Sequence, residues 1–336
     1  MVSVVDVARR AGVSVATVSR VLSGADIVAA DTKLRVMRSV RELGYQPNVI
    51  AQSLRRGQSR TVALVTGDIE QGIYAALAKE VQRRFSEIDL DLMLVDTAHD
   101  EKRLAQLLAR AASLGLRGLL LALPHFMRTG RLRPLLRKAT EQGVSIISVS
   151  QKLDNLGLRS IVPDDKAGAV LAVRHLLERG HERIAFLGRT SISAVARLRF
   201  EGYRIGLMPR LGRIPSGLAW DIARGYRFKA GYEAVSQRLK SGVRFDAVLA
   251  SSDELALGGM AAALDQGRRV PEDIAFVGFG GLQWGRYIRP ALTSVEVDVA
   301  ALASFVVEFF RERTDDGEDM SLSTLVPYRL IPRGSS

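Results

Sequence analysis

The chain has 336 residues, no cysteine, four histidines and a formal net charge of +12, with 47% hydrophobic and 25% charged residues. That length suits two or three domains, and the balance is that of a globular protein, not a disordered one. The missing cysteines exclude a disulfide scaffold, a thiolate zinc site, an iron–sulfur cluster and a cysteine nucleophile, and no pair among His99, His125, His175 and His181 has the i, i+4 spacing of a helical zinc site. No cofactor and no metal are therefore expected. The opening MVSVVDVARR is not a signal peptide, and no stretch approaches the ~18 apolar residues that span a bilayer. The expected location is the cytoplasm, with no membrane partner.

The charge is unevenly spread. Residues 1–60 hold ten Lys/Arg against four acids, a net +6, and the other 276 residues carry the remaining +6. A polyanion binder at the N-terminus is the natural reading. Three short helices are predicted there. Val4, Val7, Ala8 and Ala11 recur at helical spacing after a Ser3 cap, and Gly12 stops the run. Ser14 caps a second helix with Val15, Val18, Val21 and Leu22 inward. A third runs from about Asp31 to Leu43, with Leu34, Met37, Val40 and Leu43 inward. The tight joint around Gly12 makes the first two a helix-turn-helix, whose second helix enters the DNA major groove. Val15 and Ala16 occupy its reading positions and can contact a thymine methyl. Arg20 can reach guanine O6 and N7, and Ser14, Thr17 and Ser19 suit phosphate oxygens.

From Thr61 onward, apolar strands alternate with amphipathic helices. The strands are Val62–Val65, Leu90–Val95, Gly118–Leu123, Ser145–Val149, Arg183–Leu187, Ala247–Ala250 and Ile274–Gly278, and the helices include Tyr74–Phe85, Leu104–Leu114, Ala167–Arg179 and Ala256–Gln266. This βαβα rhythm predicts two parallel sheets of ordinary domain size, covered by helices on both faces. Adjacent Asp164 and Asp165 read as a helix cap. Enzyme signatures are missing. VGFGGLQWG (Val277–Gly285) has Gln283 where a dinucleotide fingerprint needs its third glycine, and there is no G-x-S-x-G elbow and no P-loop. An α/β enzyme fused to a DNA anchor and a nucleoid-structuring protein without a ligand are the competing classes.

The run DVARRAGVSVATVSRVLSG (Asp6–Gly24) and LGYQPNVIAQSLRRGQS (Leu43–Ser59) resemble the DNA-binding region of the lactose-repressor/galactose-repressor family of bacterial transcription regulators. So do RGHERIAFLG (Arg179–Gly188), RFEGY (Arg199–Tyr203), SSDELALGGM (Ser251–Met260), VPEDIAFVGF (Val270–Phe279) and RPALTSV (Arg289–Val295), so that the likeness spans essentially the whole chain. It departs at Ala29, where the family commonly has a serine capping the third helix; Asp31 offers compensation through the helix dipole.

The resemblance implies an all-α helix-turn-helix domain over 1–46, a hinge helix and linker over 47–60, and an effector-binding and dimerisation domain over 61–336 with a periplasmic-binding-protein-like fold. Lobe 1 would comprise about 61–162 and 291–325, and lobe 2 about 163–290 and 326–336. It implies DNA contacts at Asn48 and at Leu54, a minor-groove wedge that kinks the operator. It places Ile73, Tyr74, Arg199, Tyr226, Ser252 and Gly280 at the effector, with Gln151 and His125 following strand ends as weaker candidates. The function implied is an effector-controlled DNA-binding regulator, a repressor of a carbohydrate or sugar-acid operon. Two-fold symmetry demands a palindromic operator. No leucine heptad follows Pro332, so a homodimer is expected, not a coiled-coil tetramer. Glycines at 280 and 281, where relatives carry a carboxylate or amide, together with Arg199, favour an anionic effector such as a sugar acid or sugar phosphate over a neutral sugar.

Overall fold

The computed structural model describes residues 2–22, 28–45, 60–123, 129–214, 216–222, 225, 227–311 and 322–336. They form two compact units, Met1–Ser59 and Arg60–Ser336. Among them, no helix is long and apolar enough to cross a membrane.

The first unit is built from three helices. The Ser3 hydroxyl and the Asp6 carboxylate cap each other's backbone N–H at the start of α1 (Val4–Ala11), and the Ser14 hydroxyl accepts from Thr17 N at 3.1 Å at the start of α2 (Val15–Leu22). Val7, Ala8, Ala11, Val18 and Val21 meet Val36 of α3 (Ala30–Glu42) in one apolar core. The inward stripe of α3 differs from the expected one. Leu34 and Met37 are 65% and 40% exposed, whereas Val36 is fully buried, with Val40 and Leu43 packed beside it. At about 100° per residue, Val36, Val40 and Leu43 share one narrow arc and Leu34 lies opposite. Two apolar stripes compete on this helix, and packing against α1 and α2 selects one.

The second unit holds two six-stranded sheets. In the first, β1 (Thr61–Thr66), β2 (Asp91–Asp96), β3 (Leu116–Ala122), β4 (Ser145–Ser148), β5 (Arg159–Pro163) and the distant β11 (Ser323–Val326) run parallel in the order β11-β5-β4-β3-β1-β2. In the second, β6 (Ile184–Gly188), β7 (Ala219–Asp221), β8 (Ala247–Ala250), β9 (Ala275–Phe279), β10 (Thr293–Val297) and β12 (Tyr328–Ile331) take the order β12-β10-β9-β8-β6-β7, with only β12 antiparallel. Runs such as Val62–Val65 and Ala247–Ala250 are buried on both faces because helices cover both sides of each sheet. The helices are α4 (Gly72–Ser86), α5 (Glu101–Arg110), α6 (Thr129–Glu141), α7 (Asp165–Glu178), α8 (Ala194–Leu211), α9 (Phe228–Lys240), α10 (Asp253–Asp265) and α11 (Val299–Arg311).

The chain passes between the sheets after β5, after β10 and after β11. The middle passage falls beyond Val297, not near Ala291 as expected. Thr293–Val295 pair in register with Val277–Phe279, and this buried strand holds the chain in the second sheet for six more residues. Helix α11 then returns to the first sheet, where Phe310 meets Phe85 edge-on at 5.7 Å. Both sheets share one strand order, with the first and third strands of each adjacent. Helices leave in opposite directions there, and the crevice beyond the strand C-termini opens at that point.

The first turn of α3 has an identifiable defect. Ala29 stands at the N-cap in extended conformation and supplies no side-chain bond. Ala29→Ser is expected to stabilise the first unit by about 1 kcal/mol, read as a higher unfolding temperature of that unit in calorimetry of the full chain.

Candidate functional site

A cleft of about 510 Å³ opens between the two sheets of the second unit. Loops leaving β1, β2, β6, β8 and β9 converge on it, all at strand C-terminal ends. Of the expected effector residues, Ile73, Tyr74, Arg199, Ser252 and Gly280 line it. Gln151 does not. Its backbone N–H and carbonyl are tied to the Ser148 hydroxyl, and its side-chain nitrogen is buried without a partner among the described residues. His125 and Tyr226 lie outside the described residues.

Arg199 is held from every side. Its Nε donates to Asp165 Oδ1 at 2.8 Å, Nη1 to the Ser251 carbonyl at 2.6 Å and Nη2 to the Tyr328 hydroxyl at 3.0 Å. Tyr328 in turn donates to Asp165 at 3.0 Å. The guanidinium carbon lies 4.3 Å from the centre of the Phe279 ring. Burial opposes the charge on Arg199, but the Asp165 carboxylate offsets it and leaves the guanidinium held more firmly protonated than usual. Asp164 caps α7 through Ala167 N, so the Asp164–Asp165 pair divides its work: one residue caps, its neighbour neutralises the arginine.

The cleft is also richer in carboxylate than the glycines at 280 and 281 suggest. Gly280 sits at φ 125°, a conformation closed to ordinary side chains, and a Cβ there would lie 3.7 Å from Asp253 Oδ2. The carboxylate has moved beneath the loop. Asp253 accepts from Leu282 N at 2.5 Å and from the Ser294 hydroxyl at 2.6 Å. Burial pushes its pKa up to about 6, against the opposing effect of those hydrogen bonds. Glu254 is also raised, chiefly by burial. Among the described residues, Arg189 and Arg199 line the cleft together with Asp165, Asp253 and Glu254, so its carboxylates offset its arginines. Ser252 lines the space while its hydroxyl caps α10 through Leu255 N. Burial pushes the Tyr74 hydroxyl up to about 12, so it remains a neutral donor.

Sequence reasoning missed Asp165, Asp253 and Tyr328. It also missed His99, carried to the cleft by two successive residues of positive φ, Ala98 at 49° and His99 at 60°. Such pairs carry strain that sequence does not announce.

In the first unit, Ser14, Ala16 and Arg20 are exposed on α2, and Thr17 and Ser19 are half-exposed. The Ser14 and Thr17 hydroxyls lie 2.9 Å apart and share one hydrogen bond. Val15, expected both to face inward and to stand at a reading position, is half-buried and packs on the three-helix core, and Ala16 beside it is exposed. Asn48 and Leu54 lie outside the described residues.

A helix-turn-helix unit and a two-lobed α/β unit with an interlobe cleft, on one chain, define a DNA-binding regulator with a ligand-binding domain. Residues 3–48 match the model of the bacterial regulatory proteins of the lacI family, and residues 173–336 match a periplasmic binding protein-like domain. The HTH-type transcriptional regulator AscG of Escherichia coli (strain K12) is 31% identical over 341 residues, covering all of this chain and 98% of its own. A lac repressor dimer bound to operator and the anti-inducer ONPF superposes with a TM-score of 0.85 at 25% identity, covering 99% of this chain and 98% of that one. A complex of the regulator CelR with cellobiose gives 0.71 at 26%, with full coverage of both. The chain belongs to the lacI family of bacterial regulatory proteins, and it is a transcriptional regulator, not an enzyme.

Asp253 makes stability depend on pH. Its folded pKa lies above the ordinary carboxyl value, so the folded state holds the proton longer and stability falls as pH rises from about 4 to about 6. Asp253→Asn removes this slope. Relative to wild type the variant should gain stability across that window, by on the order of 3 kcal/mol, measured by urea unfolding at a series of pH values.

Proposed function

We propose that the chain is a homodimeric, cytoplasmic repressor of a sugar operon, bound to a palindromic operator and released or tightened by a neutral sugar held between the lobes. The observation that carries the effector class is the Asp165–Arg199 pair: the arginine reaches the cleft already paired with a carboxylate, and each of its three nitrogens donates to the protein. What remains around the cleft suits hydroxyl groups. Asp253 and Glu254 can accept, and Tyr74 and Ser252 can donate, beside the apolar faces of Ile73 and Phe279. The relatives' ligands point the same way, since CelR is seen with cellobiose.

On the DNA side, residues 1–46 form the reading domain and 47–60 the hinge. Arg20 reads a guanine and Ala16 meets an apolar base edge. Ser14, Thr17 and Ser19 fix register on the phosphates, and Asn48 and Leu54 act at the operator centre. Residues 61–336 bind effector and partner chain.

Two measurements test this reading. Calorimetry with cellobiose, galactose and ribose against gluconate and glucose 6-phosphate should give binding by a neutral sugar; binding confined to the anions overturns the effector class. In gel shifts on a palindromic operator, Arg20→Ala should relax preference by about 1–3 kcal/mol at one base pair per half-site. Leu54→Ala should lose operator affinity at every sequence, and wild-type binding by that variant would remove the hinge role.

A further inference from the structure

At the mouth of the cleft, away from its floor, a second charged cluster spans the lobes. Arg227 stands at the start of α9 in the second lobe. Its Nη2 donates to Asp68 Oδ2 at 2.7 Å, and its Nη1 lies 2.7 Å from Glu70 Oε2. Both acids belong to the loop after β1 in the first lobe. Its Nε faces Glu254 of the second lobe at 3.8 Å. The first-lobe loop is shaped to receive it: Asp68 Oδ1 accepts from Glu70 N at 2.9 Å, and Asp68 N donates to the Thr66 hydroxyl at 3.2 Å, which leaves Oδ2 directed at the arginine. Beside this cluster the lobes also touch through apolar surface. A Cβ on Gly72, at the start of α4, would fall 2.8 Å from Leu282 Cδ1 of the second lobe, the far end of a side chain that would have to turn aside.

We propose that Arg227, with Asp68 and Glu70, is an interlobe latch that holds the cleft closed before any effector arrives. Among the described residues, Arg227 meets Asp68 and Glu70 of the other lobe at 2.7 Å each and faces Glu254 at 3.8 Å, so deleting it removes an attraction that spans the lobes. Asp68 is the buried anchor, and Glu70, with 74% of its side chain exposed, is the weak one. Arginine is required because its planar fork reaches two carboxylates at once, which a lysine cannot do. The pairing of Arg227 with Asp68 and Glu70 lies apart from the Arg199 floor, while Glu254, which faces Arg227, also lines the cleft.

Amide hydrogen exchange on the full-length, unliganded protein tests this without effector or DNA, and so independently of the proposed function. Residues 67–74 and 279–285 are the mouth segments of the two lobes. Arg227→Met should speed exchange in both by at least about tenfold, shifting an open state that is ordinarily a minor population of about 0.1–10%. Asp68→Asn, a first-lobe change, should speed exchange at 279–285 in the other lobe; Glu70→Gln should do much less. Arg227→Lys should fall between wild type and Arg227→Met. Strands β3 and β8 should keep wild-type protection in all of them. Exchange that rises only in the lobe carrying the mutation, or not at all, would overturn the latch.

Discussion

The buried pair of Asp165 and Arg199 organises the second unit. Taking two charges out of water costs several kcal/mol for each ion, and their attraction recovers that cost only with good geometry and with the remaining donors satisfied. Here the satisfaction comes from four separate parts of the chain. Asp165 opens α7 immediately past the first passage between the sheets, and Tyr328 opens β12 immediately past the third. Ser251 follows β8, and Phe279 closes β9 beneath the guanidinium. Two of the three passages are therefore pinned to one side chain at the cleft floor. Removing Arg199 would strand Asp165 and leave Tyr328 with half its bonding, so the floor cannot relax piecemeal.

The floor continues as a polar layer at the ends of β9 and β10. Asp253 holds the Leu282 amide and Ser294, and Glu296 pairs with Arg286 and Arg333. Arg333 also donates to the Leu292 carbonyl at 2.7 Å. Buried polar groups of this kind are costly when unpaired and rigid when paired. The second lobe thus presents a fixed floor, and the loop over Gly280 and Gly281 can approach it closely because neither residue carries a side chain.

Much of the architecture was legible. Val62–Val65 and Ala247–Ala250 are short apolar runs between helical patterns, and such runs are central parallel strands. Five strands offer no such run: β5, β7, β10, β11 and β12 are short or mixed in sequence. β7 is three residues alternating exposed and buried, and β11 and β12 are four residues each at sheet edges. Their formation depends on neighbours distant in sequence, which no local pattern records. The same holds for the site. Arg199 could be found from its motif, but what neutralises it could not, because Asp165 and Tyr328 lie 34 and 129 residues away. A pair of adjacent aspartates before a helix reads as capping, and only contact geometry shows that one of them faces an arginine. The inward face of α3 failed for a related reason: two stripes were available, and tertiary packing made the choice.

The cleft takes its lining from both lobes, and this constrains how a ligand can shift one lobe against the other. A ligand shifts an equilibrium only by its difference in affinity between two states. The Arg199 floor is built within the second lobe, so contacts to it alone bind ligand without biasing the lobes. Ile73 and Tyr74 belong to the first lobe, immediately past the loop that carries Asp68 and Glu70. A ligand that reached from Asp253 to Tyr74 would meet groups of both lobes at once only with the cleft closed, and only that difference could bias the lobes. Where the closed state is already populated, the ligand does less conformational work and binds more tightly for the same contacts. On the proposed latch, the strength of the mouth contacts would therefore tune effector sensitivity.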